Sequence, residues 1–208
     1  MSSRTGTSSF CQVTDERLRR WISLLLATPG LTAIRDPEEA WRVHVEQSLA
    51  ALSLVGRYEG PLVDVGSGGG APGLPLAAAL PEREVTLLEA NGRKAAFLER
   101  VASEFPNVRV VRGRAEEHEL EGYGVVAAKA LAAPPVAAEL CLPLVRVGGA
   151  AILYVGPSAD VDAVGVAAET LGGGPPEAHP GLLVIPKVAA TPAGFPRRPG
   201  MASKRPLA

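Results

Sequence analysis

Val63-Asp64-Val65-Gly66-Ser67-Gly68-Gly69-Gly70-Ala71-Pro72-Gly73 decides the fold. The buried-type run Leu62–Val65 leads into five glycines within eight residues, Gly66–Gly73, and Pro75–Leu80 then reads as helix. A strand, a glycine loop and a helix in that order bring backbone N–H groups close to a ligand, because glycine tolerates positive φ and has no side chain in the way. A tight turn between strand and helix needs far fewer glycines, so the run reads as a ligand loop.

The rest of the chain repeats the alternation. Strands are expected at Val85–Glu89, Val108–Val111, Val125–Ala128, Ala150–Val155 and Leu182–Ile185. Helices are expected at Gly92–Glu104, Val136–Val145 and Asp160–Leu171. Short apolar strands separated by helices imply a doubly wound, mostly parallel α/β sheet covered on both faces. The stretch Gly172–Gly181 is too short and too rich in Gly and Pro for a full strand. Two helices come before any strand. One opens at Thr14-Asp15-Glu16 with the stripe Leu18, Ile22, Leu25, Leu26; the other is capped by Asp36 with Pro37 at its first position. The expected organisation is an unstructured 1–13, a helical extension 14–60, a sheet domain 61–190 and a basic, Pro-rich extended tail 191–208 carrying Arg197, Arg198, Lys204 and Arg205.

Hydrophobic residues make up 47% of the 208 residues, enough for one core and too many for a disordered chain. The net charge of −1 means that any nucleic-acid site must be a local basic patch, and 4% aromatics argue against a base-stacking platform. Cys11 and Cys141 have neither metal-ligand nor disulfide spacing, so no metal is expected and a reducing cytoplasm suits the chain. No apolar run reaches the ~20 residues of a membrane span, and no apolar signal core precedes the charged N-terminus. The expectation is a cytoplasmic protein off the membrane, as a monomer.

Gly66-x-Gly68-x-x-Ala71 also fits the dinucleotide-binding pattern. Two features favour S-adenosylmethionine instead. Asp64, two residues before the first glycine, suits a cationic ligand and would repel a pyrophosphate; Pro72, Gly73 and Pro75 suit a helix start less committed to phosphate. Glu89 ends the next strand, where a carboxylate can accept both ribose hydroxyls. Asp64 could instead cap the loop, and Glu89 the helix opening at Asn91. Arg114-Ala115-Glu116 follows the third strand, at the edge where an adenine would lie, and Lys129 ends the fourth, where it would pair with a ligand carboxylate.

Together these residues resemble the bacterial small-subunit (16S) ribosomal RNA guanine-N7 methyltransferases, the glucose-inhibited division protein B family. The resemblance is carried by Leu31–Glu39, His44 with Ser48-Leu49, the loop Asp64–Pro75, Leu87-Leu88-Glu89, Arg114-Ala115-Glu116, Thr191-Pro192, Pro196-Arg197-Arg198 with Gly200, and Lys204 with Pro206-Leu207. It implies a class I S-adenosylmethionine-dependent methyltransferase fold with an N-terminal helical extension, S-adenosylmethionine as donor, and 16S ribosomal RNA or the small ribosomal subunit as partner. It further implies that Gly66 and Ala71 line the donor site, that Ala115 and Glu116 meet the adenosine part, and that Lys129 takes the place of a donor-contacting Arg. Ala71 stands where the family commonly has Leu or Phe.

Guanine N7 carries a lone pair and no proton, so methylating it needs no general base, only positioning and charge. The chain matches this in having no Cys/His or Ser/His/Asp cluster. His44 is a candidate for positioning the target. Contact with RNA phosphates is expected from Arg197, Arg198, Lys204 and Arg205 on the proline-stiffened tail.

Overall fold

A computed structural model describes residues 8–208, with side chains from Glu16 onward. Helix α1 (Ser8–Ala27) is followed by α2 (Pro37–Trp41), whose first turn is capped by Asp36 Oδ1 accepting from Glu39 N at 2.8 Å. The helix widens into a π turn at Arg42–Glu46 and closes with α3 (Gln47–Leu49) and α4 (Leu52–Val55). Then come β1 (Leu62–Val65), α5 (Gly73–Ala79), β2 (Val85–Glu89), α6 (Gly92–Ala102), β3 (Val108–Arg112), β4 (Tyr123–Lys129), α7 (Pro134–Cys141), β5 (Val145–Tyr154), α8 (Val161–Thr170), β6 (Glu177–His179), β7 (Leu182–Pro186) and α9 (Met201–Lys204).

Among the described residues, the strands form one sheet in the order β3-β2-β1-β4-β5-β7-β6. β1 to β5 run parallel; β7 returns antiparallel between β5 and β6. The order reverses between β1 and β4, so a crevice opens beyond their carboxyl ends. Successive residues point to opposite faces. Leu62, Val85, Leu87, Val125 and Ile152 pack under α1, α5, α6 and the turns of the extension; Val63, Val65, Leu88, Val126 and Leu153 pack under α7 and α8. No helix among the described residues is long and apolar enough to cross a membrane.

Four expectations need correcting. The first helix begins at Ser8, not Thr14, because Ser8–Val13 contain neither Pro nor Gly to stop it; of the segment read as unstructured, residues 1–7 lie outside the described residues. The helix expected to reach Val145 stops at Cys141, since Pro143 has no N–H to continue it, and β5 starts early at Val145. Glu177–His179 does form a strand, three residues long, because β7 offers it a free edge. The tail is not extended throughout: it holds α9 and packs onto the domain, with Ala202 buried and Phe195 and Leu207 against the α7–α8 layer.

Candidate active site

The loop after β1 is built from both sides. Below it, Asp64 is fully buried; its Oδ2 accepts from Gly73 N at 2.9 Å, and its Oδ1 has no partner among the described residues. Burial pushes this carboxyl up to about 7, against the opposing pull of the Gly73 N–H. Glu89 holds the loop from β2: Oε2 accepts from Gly68 N at 2.8 Å and Oε1 from Asn91 N at 2.7 Å. From the other side α1 reaches in, and Trp21 Nε1 donates to Gly69 O at 2.8 Å. A Cβ on Gly69 would stand 2.6 Å from the Leu25 side chain; one on Gly70, whose φ is +109°, would stand 2.5 Å from Leu74 and 3.2 Å from Trp21 Nε1. Gly69 therefore admits the extension, and Gly70 admits Leu74 of α5 together with Trp21.

Two of the cavities among the described residues at the carboxyl edge of the sheet adjoin the glycine loop and the end of β4. The first, of about 280 Å³, is lined by Gly66, Glu89, Lys94, Gly113, Ala115, Glu116 and Ala130, with Gly200, Ala202 and Ser203 of the tail closing it. The second, of about 560 Å³, is lined by Gln47, Lys129, Ala130, Tyr154, Gly156 and Leu182 among others. They meet at Ala130, whose φ of 55° is left-handed, a conformation that costs a residue bearing a Cβ and tends to persist at functional sites. A further cavity of about 530 Å³ sits near the opposite edge, between Gly60 and Glu84, and touches none of these residues.

The sequence model for rRNA small subunit methyltransferase G matches residues 15–170. The chain belongs to this family. Curated relatives named ribosomal RNA small subunit methyltransferase G include one from Synechococcus sp. (strain JA-3-3Ab), 37% identical over 93% of this chain and 85% of that protein. Another, from Chloroflexus aggregans, is 40% identical over 86% of this chain and 82% of that protein. Among solved structures, the S-adenosylmethionine-dependent methyltransferase SibL in its apo form aligns with a TM-score of 0.56 at 16% identity, over 89% of this chain and 71% of that one. An S-adenosylmethionine-dependent O-methyltransferase from Thermotoga maritima also aligns at 0.56 and 16%, over 83% and 72%. The fold is thus that of class I methyltransferases.

In this chain Gly66, Glu89, Ala115 and Glu116 come together in the first cavity, while Asp64, in β1, and Gly68, in the loop, do not line it. Ala71 does not line that cavity; it packs against the core beneath the extension. Lys129 lines the second cavity instead of the first. Its Nζ donates to Val43 O in the π turn and lies 5.8 Å from the Tyr154 ring centroid; burial draws its ammonium down to about 8, partly offset by Asp64. Tyr154 donates to Ser48 O, so two hydrogen bonds fasten the extension to the β4 and β5 ends. His44 pairs through Nε2 with Thr32 Oγ1 at 3.1 Å and meets Trp21 edge-on at 6.5 Å; burial, then Lys129, lowers its pKa. It is a joint of the extension and lines neither cavity.

Arg197 is not free for phosphate. Its Nε and Nη2 each donate at 2.6 Å to Glu139, a carboxylate only 3% exposed on α7. Arg198, Lys204 and Arg205 remain exposed. Sequence reasoning missed Gln47, Tyr154 and the tail lining. The one available signal was Glu139 itself, a lone charge inside the apolar run Pro134–Cys141 that called for a cationic partner.

Proposed function

We propose that this chain transfers the methyl group of S-adenosylmethionine to N7 of a guanine in 16S ribosomal RNA, acting as a monomer in the cytoplasm on that RNA or on the small ribosomal subunit. The observation that carries the reading is the pair of cavities meeting at Ala130, one lined by nucleoside-type partners and the other open to a base.

The residues present fit the donor. Each Glu89 oxygen spends one lone pair on a backbone N–H and keeps another for a ribose hydroxyl. Gly113 and Ala115 offer backbone to an adenine edge. The buried, unpartnered Oδ1 of Asp64 has the chemistry to accept from the donor's ammonium, and Lys129 the charge for its carboxylate. Arg198, Lys204 and Arg205 are the tail cations offered to phosphates.

When bound, S-adenosylmethionine supplies an electrophilic methyl on a sulfonium. The N7 lone pair forms the new N–C bond as the S–C bond breaks, its electron pair passing to sulfur and the positive charge to the base. No proton moves at N7, so the transfer asks neither Asp64 nor Lys129 to act as an acid or a base. The chain's own work is to align the two reactants, to keep water away from the junction and to fix charges around it.

The test is mass spectrometry of 16S RNA after incubating small subunits with the purified protein and S-adenosylmethionine. The expected product is one 7-methylguanosine. No methylation of RNA or subunits, or methylation at another atom, refutes the assignment.

A further inference from the structure

We propose that the C-terminal segment Pro196–Arg205 is a built wall of the donor site, positioned by the Arg197–Glu139 ion pair. This rests on the reading that the first cavity holds the adenosine half of the donor.

The segment enters under control. Thr191 N donates to Glu121 Oε1 at 2.6 Å, and Thr191 Oγ1 accepts from the buried Lys187 Nζ at 2.8 Å. It is then fixed where α9 begins and ends. The Arg197 guanidinium is forked onto Glu139 at 2.6 Å twice, and its Nη2 also donates to Arg205 O at 2.8 Å, which ties the entry of α9 to its exit. A four-residue helix has no independent stability, so its place is set by these bonds and by Ala202 buried beneath it. The result crosses the cavity mouth: Gly200 N donates to Glu116 Oε1 at 2.9 Å. Gly200, Ala202 and Ser203 thereby face Glu89, Ala115 and Glu116 over the same space.

Two consequences separate this from a tail that merely closes the domain. Loosening the clamp opens the cavity even while the sheet stays folded, because α9 contributes only Ala202 to the buried residues. Filling the cavity from the tail side blocks the donor even while the clamp stays intact. Arg197 is a positioning residue here, and Ser203 lines the site directly.

Full-length Arg197→Ala, Arg197→Lys and Ser203→Trp would be compared with the parent for melting temperature, for S-adenosylhomocysteine and 5′-methylthioadenosine affinity by calorimetry well below melting, and for donor KM and kcat. Arg197→Ala is expected to weaken both ligands at least tenfold alike, since both carry the adenosine, and to raise the donor KM with kcat at saturation kept. Arg197→Lys should recover part of the loss. Ser203→Trp should weaken both ligands with an unchanged melting temperature. Affinities within twofold of the parent for both Arg197→Ala and Ser203→Trp overturn the proposal, whatever happens to melting. If the parent itself binds neither ligand, the donor-site reading falls and this proposal falls with it.

Discussion

Changing Asp64 to Asn should make the free protein more stable and the donor site worse. The wholly buried carboxyl has an ordinary pKa of 3.8 and is pushed up to about 7. A folded-state pKa above the unfolded one means that the folded protein holds the proton more tightly between those values. Stability of the free protein therefore falls as pH rises from about 4 to 7, by an amount on the order of 4 kcal/mol if the full shift is expressed. Asn removes that titration and keeps an oxygen for Gly73 N. Its melting temperature should exceed the parent's at pH 7.5 and lose the parent's decline across the acid range. Binding should move oppositely. At pH 6 about a tenth of Asp64 is ionised, and at pH 7.5 about three quarters. Lys129, drawn down to about 8, is still mostly charged at pH 7.5. Together they predict S-adenosylhomocysteine affinity about sixfold higher at pH 7.5 than at pH 6, turning down above pH 7.5. Calorimetry across that range checks it. Equal affinity at pH 6 and 7.5, or the same profile in Asp64→Asn, would refute the idea that this charge meets the donor.

Trp21→Phe deletes the Nε1 bond to Gly69 O and leaves a void where the larger, 1% exposed indole packs, so it should lower stability by about 2–4 kcal/mol in denaturant unfolding. Glu89→Gln turns an amide N–H₂ against one of the two backbone N–H groups that donate to the carboxylate; ligand affinity should fall by about 1.5–3 kcal/mol in calorimetry. Changing Arg198, Lys204 and Arg205 together to Ala should leave S-adenosylhomocysteine affinity unchanged. If all three meet phosphates, the log–log salt slope of RNA binding should flatten by roughly 0.7–0.9 per contact.

Local signals made the centre of the fold legible. Apolar runs of sheet length and the glycine run placed β1, β2 and β3, and with them Glu89, Ala115 and Glu116 at one edge. What escaped was decided across distance. The Arg197 partner is 58 residues away, so the tail read as spare positive charge. β6 exists only because β7 lends it an edge. The π turn at Arg42–Glu46 occupies a stretch whose apolar spacing reads as ordinary helix, yet the Val43 carbonyl within it is what Lys129 meets. Within the glycine run, Gly69 and Gly70 answer to Leu25, Leu74 and Trp21, partners that only the folded chain brings together.

The contact between Trp21 and the loop bears on how such a protein can change over evolutionary time. A break after residue 60 looks like a natural seam, the place where a sheet domain might be lifted out and joined to a different N-terminal partner. It is not one, because the loop that shapes the site leaves its last carbonyl-to-indole bond on the far side of that seam. A transplanted sheet domain would carry Gly69 with no Leu25 to fill the space it vacates. Recombination at this point would demand matched changes in the loop, so helix and loop are inherited as one unit.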